Sequence, residues 1–477
     1  MKKRHILIPC AVAAMTLGTA MTSWAATGWQ EEGGIWCFYN SDGSRAEDQW
    51  KKSGNHWFWL DDSGEMLTDS LVEDDEDYFY VNEAGAMVKN EWRELENTDD
   101  GDDASDTAWY YFGPNGKAYK AASSGKTTFK TIGRAGGGSS KYAFDEEGRM
   151  LYGWVNEESG RETGEDAWKT GTYYLGEPGD GVLRSGQWER LEVEDDDMDE
   201  EEEEYFDGTY WFYFNTNGKK LADTTKKING RNYRFREDGN TVFKWYNTAS
   251  GSTATSSNLY YSDPEQCWRA SGWFKTIPGE KVDQEAYDNG DEYWFYAQKD
   301  GELVKSKIKK INGQYYGFNE WGGMLHGLYK MSVNGSDIQS YEEIESENDL
   351  PEADEAWQVY YFGDSPKEGV MKTGKTNLDI DGETYTYNFR KSGSDRGAGY
   401  DGISDDVLYC KGRVMKADRD EKLAVFTYED EEYLVNTSGK LQKKKTNVKD
   451  ADDNFYCTDS RGVVTYKGTE KYTNDND

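Results

Sequence analysis

The chain repeats one short pattern of apolar and polar positions. Trp57-Phe58-Trp59-Leu60 is aromatic or apolar at four successive places, Asp61-Asp62-Ser63-Gly64 is polar and turn-forming, and Met66 is apolar again. Such a run suits a short strand covered on both faces, followed by a turn whose glycine can take positive φ. The stretch therefore predicts a β-hairpin with Met66 beginning the return strand. The step from aromatic ring to glycine recurs from Trp36 to Gly43, Tyr78 to Gly85, Trp109 to Gly116, Trp211 to Gly218, Trp294 to Gly301, Tyr315 to Gly322 and Phe455 to Gly462. An apolar residue after the glycine recurs at Met66, Met87, Met150, Leu221, Leu303, Met324, Leu441 and Val464, two places on in each except Leu221, which is three after Gly218, while Arg45, Ala118 and Thr241 stand there in other copies. A hairpin of about 20 residues cannot bury its own aromatic face, and stacking neighbours into a solenoid solves that problem. The expected fold class is all-β, an elongated β-solenoid of stacked β-hairpin repeats with acidic loop insertions.

The spacing of the copies divides the chain. Residues 1–25 read as a secretory signal: Lys2, Lys3 and Arg4 precede an apolar run from Ile6 to Ala20, and Ser23-Trp24-Ala25 offers a small-x-small cleavage site. Residues 26–92 hold regular hairpin repeats, with Gly43, Gly64 and Gly85 spaced 21 apart. Residues 93–340 read as triplets of hairpins separated by acidic insertions, among them Glu189 to Glu204 and Gly279 to Glu292. The last hairpin of the third triplet looks eroded ahead of the acidic stretch Tyr341 to Glu355. Residues 341–466 read as further degenerate repeats, and 467–477 as a disordered tail.

Few aliphatic residues and a net charge of −37 would ordinarily place a chain among disordered ones. The 18 Trp and 35 Tyr, placed periodically, reverse that reading, because rings supply buried area as well as aliphatic side chains do. Nucleic acid and anionic membrane are poor partners for a surface of this charge, and no segment after the signal is apolar enough to span a bilayer. Cys37, Cys267, Cys410 and Cys457 remain after processing, at spacings that give no disulfide framework. His56 and His326 lack any nucleophile or metal-motif context, so no catalytic residue is assigned and an enzyme is not expected. A separately encoded enzyme or other partner protein docking on the chain is compatible with the sequence.

The chemistry is concentrated in the aromatic rings, most of which must form core. Gly28-Trp29 with Trp36-Cys37-Phe38, Gly153-Trp154 and Gly272-Trp273, together with the triplets Trp57-Phe58-Trp59, Trp109-Tyr110-Tyr111, Trp211-Phe212-Tyr213 and Trp294-Phe295-Tyr296, resemble the cell-wall-binding repeats of choline-binding proteins and of glucan-binding regions. The resemblance implies a choline head group boxed between successive hairpins, with Trp29, Trp36, Trp50, Trp57, Tyr78 and Trp92 forming boxes in the regular array. It implies further boxes at Trp154, Trp188, Trp211, Trp273 and Trp294. The partner it implies is a cell-wall polysaccharide or teichoic acid, met by a secreted protein at a Gram-positive-type surface. The competing reading is a structural or adhesive surface protein whose rings are core only and whose acidic loops contact a partner protein. No cofactor or metal is assigned. Asp99-Asp100-Gly101-Asp102-Asp103 and Asp288-Asn289-Gly290-Asp291-Glu292 carry enough oxygens for calcium but lack the ligand order of an EF-hand loop, and they read first as solvated loops.

Overall fold

The computed structural model describes residues 27–97, 105–158, 160–196, 198, 203, 206–247, 259–351, 355–363 and 368–473. It is all-β in character and divides into two compact units. The first comprises Met1–Glu189, Val193–Asp196 and Tyr213–Lys220; the second comprises Arg190–Glu192, Asp197–Phe212 and Leu221–Asp477.

The repeating element of the first unit is a two-stranded antiparallel hairpin. Gly28–Glu32 pairs with Ile35–Tyr39, Gln49–Ser53 with His56–Leu60, and Ser70–Asp74 with Asp77–Val81. The turn of each hairpin thus falls before the aromatic run, at Gly54-Asn55 in the second copy, and not at Asp61 to Gly64 as the sequence pattern suggested. The Asp61 turn brings the chain back for a single bridge, Leu60 to Met66, before the next hairpin begins. Asp61 shapes that turn by accepting from the backbone N–H of Ser63 at 3.0 Å and of Glu65 at 2.7 Å, an Asx turn that ends strand pairing locally.

The residue two after the glycine joins one repeat to the repeat before it. Met66 N–H donates to the Trp36 carbonyl at 2.8 Å, Met87 to Trp57 at 2.8 Å, Ala118 to Tyr78 at 2.7 Å and Met150 to Trp109 at 2.7 Å. In the second unit Thr241 donates to Trp211 at 3.0 Å and Met324 to Trp294 at 2.8 Å. The side chain at this place then roofs the glycine of the following repeat. A Cβ on Gly85, whose φ is +73°, would lie 2.8 Å from Met66 Cε and 3.0 Å from the Leu67 carbonyl oxygen. Gly64 meets Arg45, Gly116 meets Met87 and Gly369 meets Met324 in the same way, and Gly301 meets Arg269, which stands two after Cys267 at φ 58°. Arg45 satisfies the pattern because its aliphatic stem makes this contact while its guanidinium reaches Glu32.

The second unit departs from isolated hairpins. Its strands include a six-stranded sheet containing Lys307–Ile311, Gln314–Phe318, Gly327–Asn334, Asp337–Glu343, Gln358–Gly363 and Val370–Met371, and a five-stranded sheet containing Gly374–Ile380 and Glu383–Phe389. The hairpin that looked eroded is therefore a long one, Gly327–Asn334 with Asp337–Glu343. Its core residues Leu328, Tyr329 and Met331 are aliphatic or single rings where the pattern looked for a triplet.

Two acidic insertions are ordered elements where loops were expected. Within Gly279 to Glu292 a helix runs over Gln284–Asn289, its first turn capped by Asp283 accepting from Ala286 N–H at 3.0 Å and its end closed by Gly290 at φ 71°. Within Tyr341 to Glu355 a 3-10 turn spans Glu347–Asp349, held by a capping box between Ser346 and Asp349. Asp99 to Asp103 lies outside the described residues. Among the described residues no cluster of His, Cys, Asp or Glu is arranged to hold a metal ion, and no helix is long and apolar enough to cross a membrane.

None of the four described cysteines is in a disulfide, and three of them are buried. Burial pushes the Cys267 thiol up to about 11, so little reactive thiolate exists at pH 8. Iodoacetamide at pH 8, followed by peptide mapping, is expected to label the half-buried Cys410 well before Cys267. Equal rates would show that the hairpin Lys244–Asn247/Leu259–Ser262 and its surroundings open as fast as the surface is sampled.

Candidate functional site

The first strand of a hairpin carries one tryptophan whose register partner on the second strand is an aromatic ring. Trp29 faces Phe38, Trp50 faces Trp59, Trp92 faces Tyr111 and Trp273 faces Tyr296. Because strand residues two apart share a face, the ring that opens the triplet stands beside this pair: Trp36, Trp57, Trp109 and Trp294, respectively. The following repeat adds a third wall. That third wall is Phe58 for Trp29 at 5.3 Å between ring centroids, Phe79 for Trp50 at 5.1 Å, Tyr142 for Trp92 at 4.9 Å and Tyr316 for Trp273 at 4.8 Å. The same repeat delivers the methionine two after its glycine: Met66, Met87, Met150 and Met324.

Two of these boxes share one geometry in separate units. Around Trp92, ring centroids lie 6.4 Å away for Trp109, 5.1 Å for Tyr111, 4.9 Å for Tyr142 and 6.0 Å for Phe144. Around Trp273, the corresponding distances are 6.3 Å for Trp294, 5.2 Å for Tyr296, 4.8 Å for Tyr316 and 5.9 Å for Phe318. In each, Phe144 or Phe318 and the methionine form a buried floor, while the two tryptophans and two tyrosines above it are half-buried. The phenylalanine of the floor stacks on the central tryptophan, at 26° for Phe144 and 29° for Phe318, while the tryptophan and tyrosine walls meet it edge to face, and a ring that presents its edge keeps its own faces clear of that contact. Faces of half-buried, electron-rich rings are where a cation binds, within about 6 Å of the centroid. Burial pushes the Tyr111 phenol up, which keeps that wall neutral through the physiological range.

The Trp29 box opens as a cavity of about 160 Å³, lined by Trp29, Trp36, Phe58 and Met66 with Ser53 and Ala84 at its edge. Trp50 is steadied by its indole N–H donating to Asp74 at 3.0 Å. The remaining candidates are placed differently. Trp57 lies with the Lys52 ammonium 6.0 Å from its ring, as the opening ring of the Trp50 repeat. Tyr78 opens a triplet whose first-strand residue is Leu71 in place of tryptophan, and the Lys120 ammonium lies 6.0 Å from its ring. Trp188 packs on Tyr213 at 5.1 Å. Trp211 donates to the Glu265 carbonyl at 3.1 Å, with the Arg190 guanidinium 6.0 Å from its ring. Trp154 is buried, and the Lys220 ammonium sits 5.1 Å from its ring.

The sequence pattern missed Trp109, Tyr111, Tyr142, Tyr296 and Tyr316 as box walls. Trp109 and Tyr111 were visible as a triplet. Tyr142 and Tyr316 come from the next repeat at different separations, and only the carbonyl-to-Met150 and carbonyl-to-Met324 bonds fix which repeat is next.

A concave groove of about 780 Å³ in the first unit is lined by Glu94, Trp109, Asp145, Arg149, Tyr152 and Arg161, among others. Burial raises the Asp145 carboxyl, and Arg149 Nε donates to it at 2.6 Å. His56 lies 6.5 Å from Phe58, edge to face, and the His326 carbonyl accepts from the Tyr329 hydroxyl at 3.0 Å.

No family model matches the chain, and no curated protein matches it. Solved structures do. Choline-binding protein F from Streptococcus pneumoniae is 20% identical, over 74% of this chain and 98% of that one, with a TM-score of 0.41. CbpJ from Streptococcus pneumoniae TIGR4 is 19% identical, over 78% of this chain and all of that one, with a TM-score of 0.37. The choline-binding domain of Spr1274 from Streptococcus pneumoniae is 30% identical over 20% of this chain and 95% of that domain, with a TM-score of 0.15. The modular autolysin LytC from Streptococcus pneumoniae also matches, at 16% identity over 65% of this chain and 55% of that one, with a TM-score of 0.34, so the similar structures include choline-binding proteins, the family the aromatic triplets resemble, and an autolysin.

Proposed function

We propose that the chain is a secreted, non-catalytic surface protein whose aromatic boxes bind the quaternary ammonium groups of a choline-substituted cell-wall polymer, its hairpins stacked as a solenoid that presents several boxes in series. The observation that carries this reading is the recurrence of one box geometry at Trp92 and at Trp273. Rings packed only to fill a core need not repeat four centroid distances, each to within 0.1 Å, around residues 181 apart. Each ring supplies about 0.5–2 kcal/mol of cation–π attraction, so three walls give binding of useful strength without a carboxylate in the box. The net charge of −37 adds a long-range pull on cations, which salt screens.

Tryptophan fluorescence of residues 26–477 titrated in parallel with choline, soluble glucan and wall fragments tests the proposal. A saturable change with choline that shrinks in Trp36→Ala and Trp57→Ala, with folding retained, is the expected result. A response to glucan alone keeps the binding role and moves the ligand to a glycan. Silence to all three, with no sedimentation on isolated walls, favours the scaffold reading. Trp245 lends that reading some weight, being buried with its indole N–H donating to the Ile277 carbonyl at 2.8 Å.

A further inference from the structure

The box around Trp154 differs from the other four in two residues, and the two differences fit each other. Trp154 faces Tyr174 in register, and the next repeat supplies Phe214, 5.8 Å from Trp154 and 6.3 Å from Tyr174. The place of the opening aromatic is taken by Thr172, whose carbonyl accepts a backbone N–H at 2.8 Å, as the carbonyls of Trp36, Trp57, Trp109 and Trp294 do. The donor of that bond is the residue two after Gly218. It is Lys220, where the other boxes have Met66, Met87, Met150 and Met324.

The lysine side chain does what the methionines do not. Its ammonium lies 5.1 Å from the Trp154 ring, within cation–π range, and donates to the carbonyl oxygens of Trp168 and, at 3.1 Å, of Lys169. Those two carbonyls belong to the short helix Ala167–Thr170. Gly171 lets this helix end lie against the tryptophan, since a Cβ there would be 2.9 Å from Trp154 Cβ and Cε3. Trp168 is itself fixed by its indole N–H donating to the Glu194 carbonyl at 3.0 Å.

We infer that the Trp154 box is an ammonium site filled in cis by Lys220, and that its selectivity is opposite to that of a methionine-floored box. Two carbonyl acceptors beside the ring demand a cation that carries N–H donors. A primary alkylammonium has them and a quaternary ammonium has none. The box therefore closes this repeat onto its neighbour by an internal ligand and takes no choline.

Chemical rescue of Lys220→Ala in the mature chain, residues 26–477, tests this, and the probe is independent of whether the other boxes bind choline. Lys220→Ala is expected to lower the thermal midpoint by about 2–4 °C. Propylammonium should restore most of that loss in Lys220→Ala and shift neither the wild type nor Lys220→Met, while tetramethylammonium at equal concentration should restore none of it. Equal rescue by the two cations, or a midpoint unchanged by the substitution, overturns the inference. Should Lys220→Ala not fold, acetic anhydride labelling of the wild-type chain decides the matter. Lys220 should react at least about tenfold more slowly than the exposed Lys226 and Lys227, and labelling at the same rate as these overturns the inference.

Discussion

Gly85→Ala is expected to destabilise the first unit by about 2–5 kcal/mol, about twice the cost of Gly54→Ala. Both glycines have positive φ, +73° and +58°, so each substitution pays roughly 1–2 kcal/mol for a left-handed alanine. They differ in what the new methyl meets. Nothing lies within 4 Å of a Cβ at Gly54, in the exposed hairpin turn, whereas at Gly85 the Met66 thioether and the Leu67 carbonyl lie at 2.8–3.0 Å. The methionine end can yield but the carbonyl cannot, and overpacking of that kind adds about 1–3 kcal/mol. Because stacked repeats depend on nearest neighbours, the loss should appear first as faster amide exchange in Ser70–Asp74 and Asp77–Val81. Denaturant unfolding of the two variants checks the ranking, and equal costs would remove the stacking explanation for the conserved spacing of glycine and methionine within the chain.

Trp273→Ala and Trp273→Phe should separate packing from recognition in the second unit. Removing the indole strips a ring that four others contact, a truncation costing about 3 kcal/mol at partial burial, and choline binding at that box should disappear with it. Phenylalanine keeps most of the contacts but presents a poorer face to a cation. Its expected signature is a melting midpoint near the wild type together with about a tenfold loss of choline affinity at one box. Calorimetric titration reads affinity and stoichiometry together. A Trp273→Phe chain with unchanged affinity and site number would show that this ring is core only.

Much of the fold was legible because the repeat writes its backbone needs into residue types. The aromatic runs mark second strands, the glycines mark positive φ, and the residue two beyond marks the bridge. What misled was the turn. Gly54-Asn55 and Asp61 to Gly64 both read as turns, and an aromatic run bounded by a turn on either side can be paired forwards or backwards. The register of Trp50 with Trp59 settles it. The boxes were half legible. Tryptophans of the first strands, Trp29, Trp50, Trp92 and Trp273, were found, but the third wall comes from whichever repeat stacks next, 29 residues on for Phe58 and 50 for Tyr142. The lysine beside Trp154 lies 66 residues away in the chain, so a local pattern does not connect the two. The long hairpin Gly327–Asn334/Asp337–Glu343 escaped notice because its strands carry single rings among aliphatic and polar residues, where the pattern looked for aromatic runs.

The glycine that each repeat offers its predecessor and the side chain it offers its successor stand two residues apart in a single turn. A copied segment thus carries both a plug and a socket of matching size, and can be inserted at any joint without a compensating change elsewhere. The same economy tolerates drift: Arg45, Leu303 and Val414 all serve as plugs. It asks only for enough carbon at that position to cover a bare backbone, and leaves the outer positions to diverge.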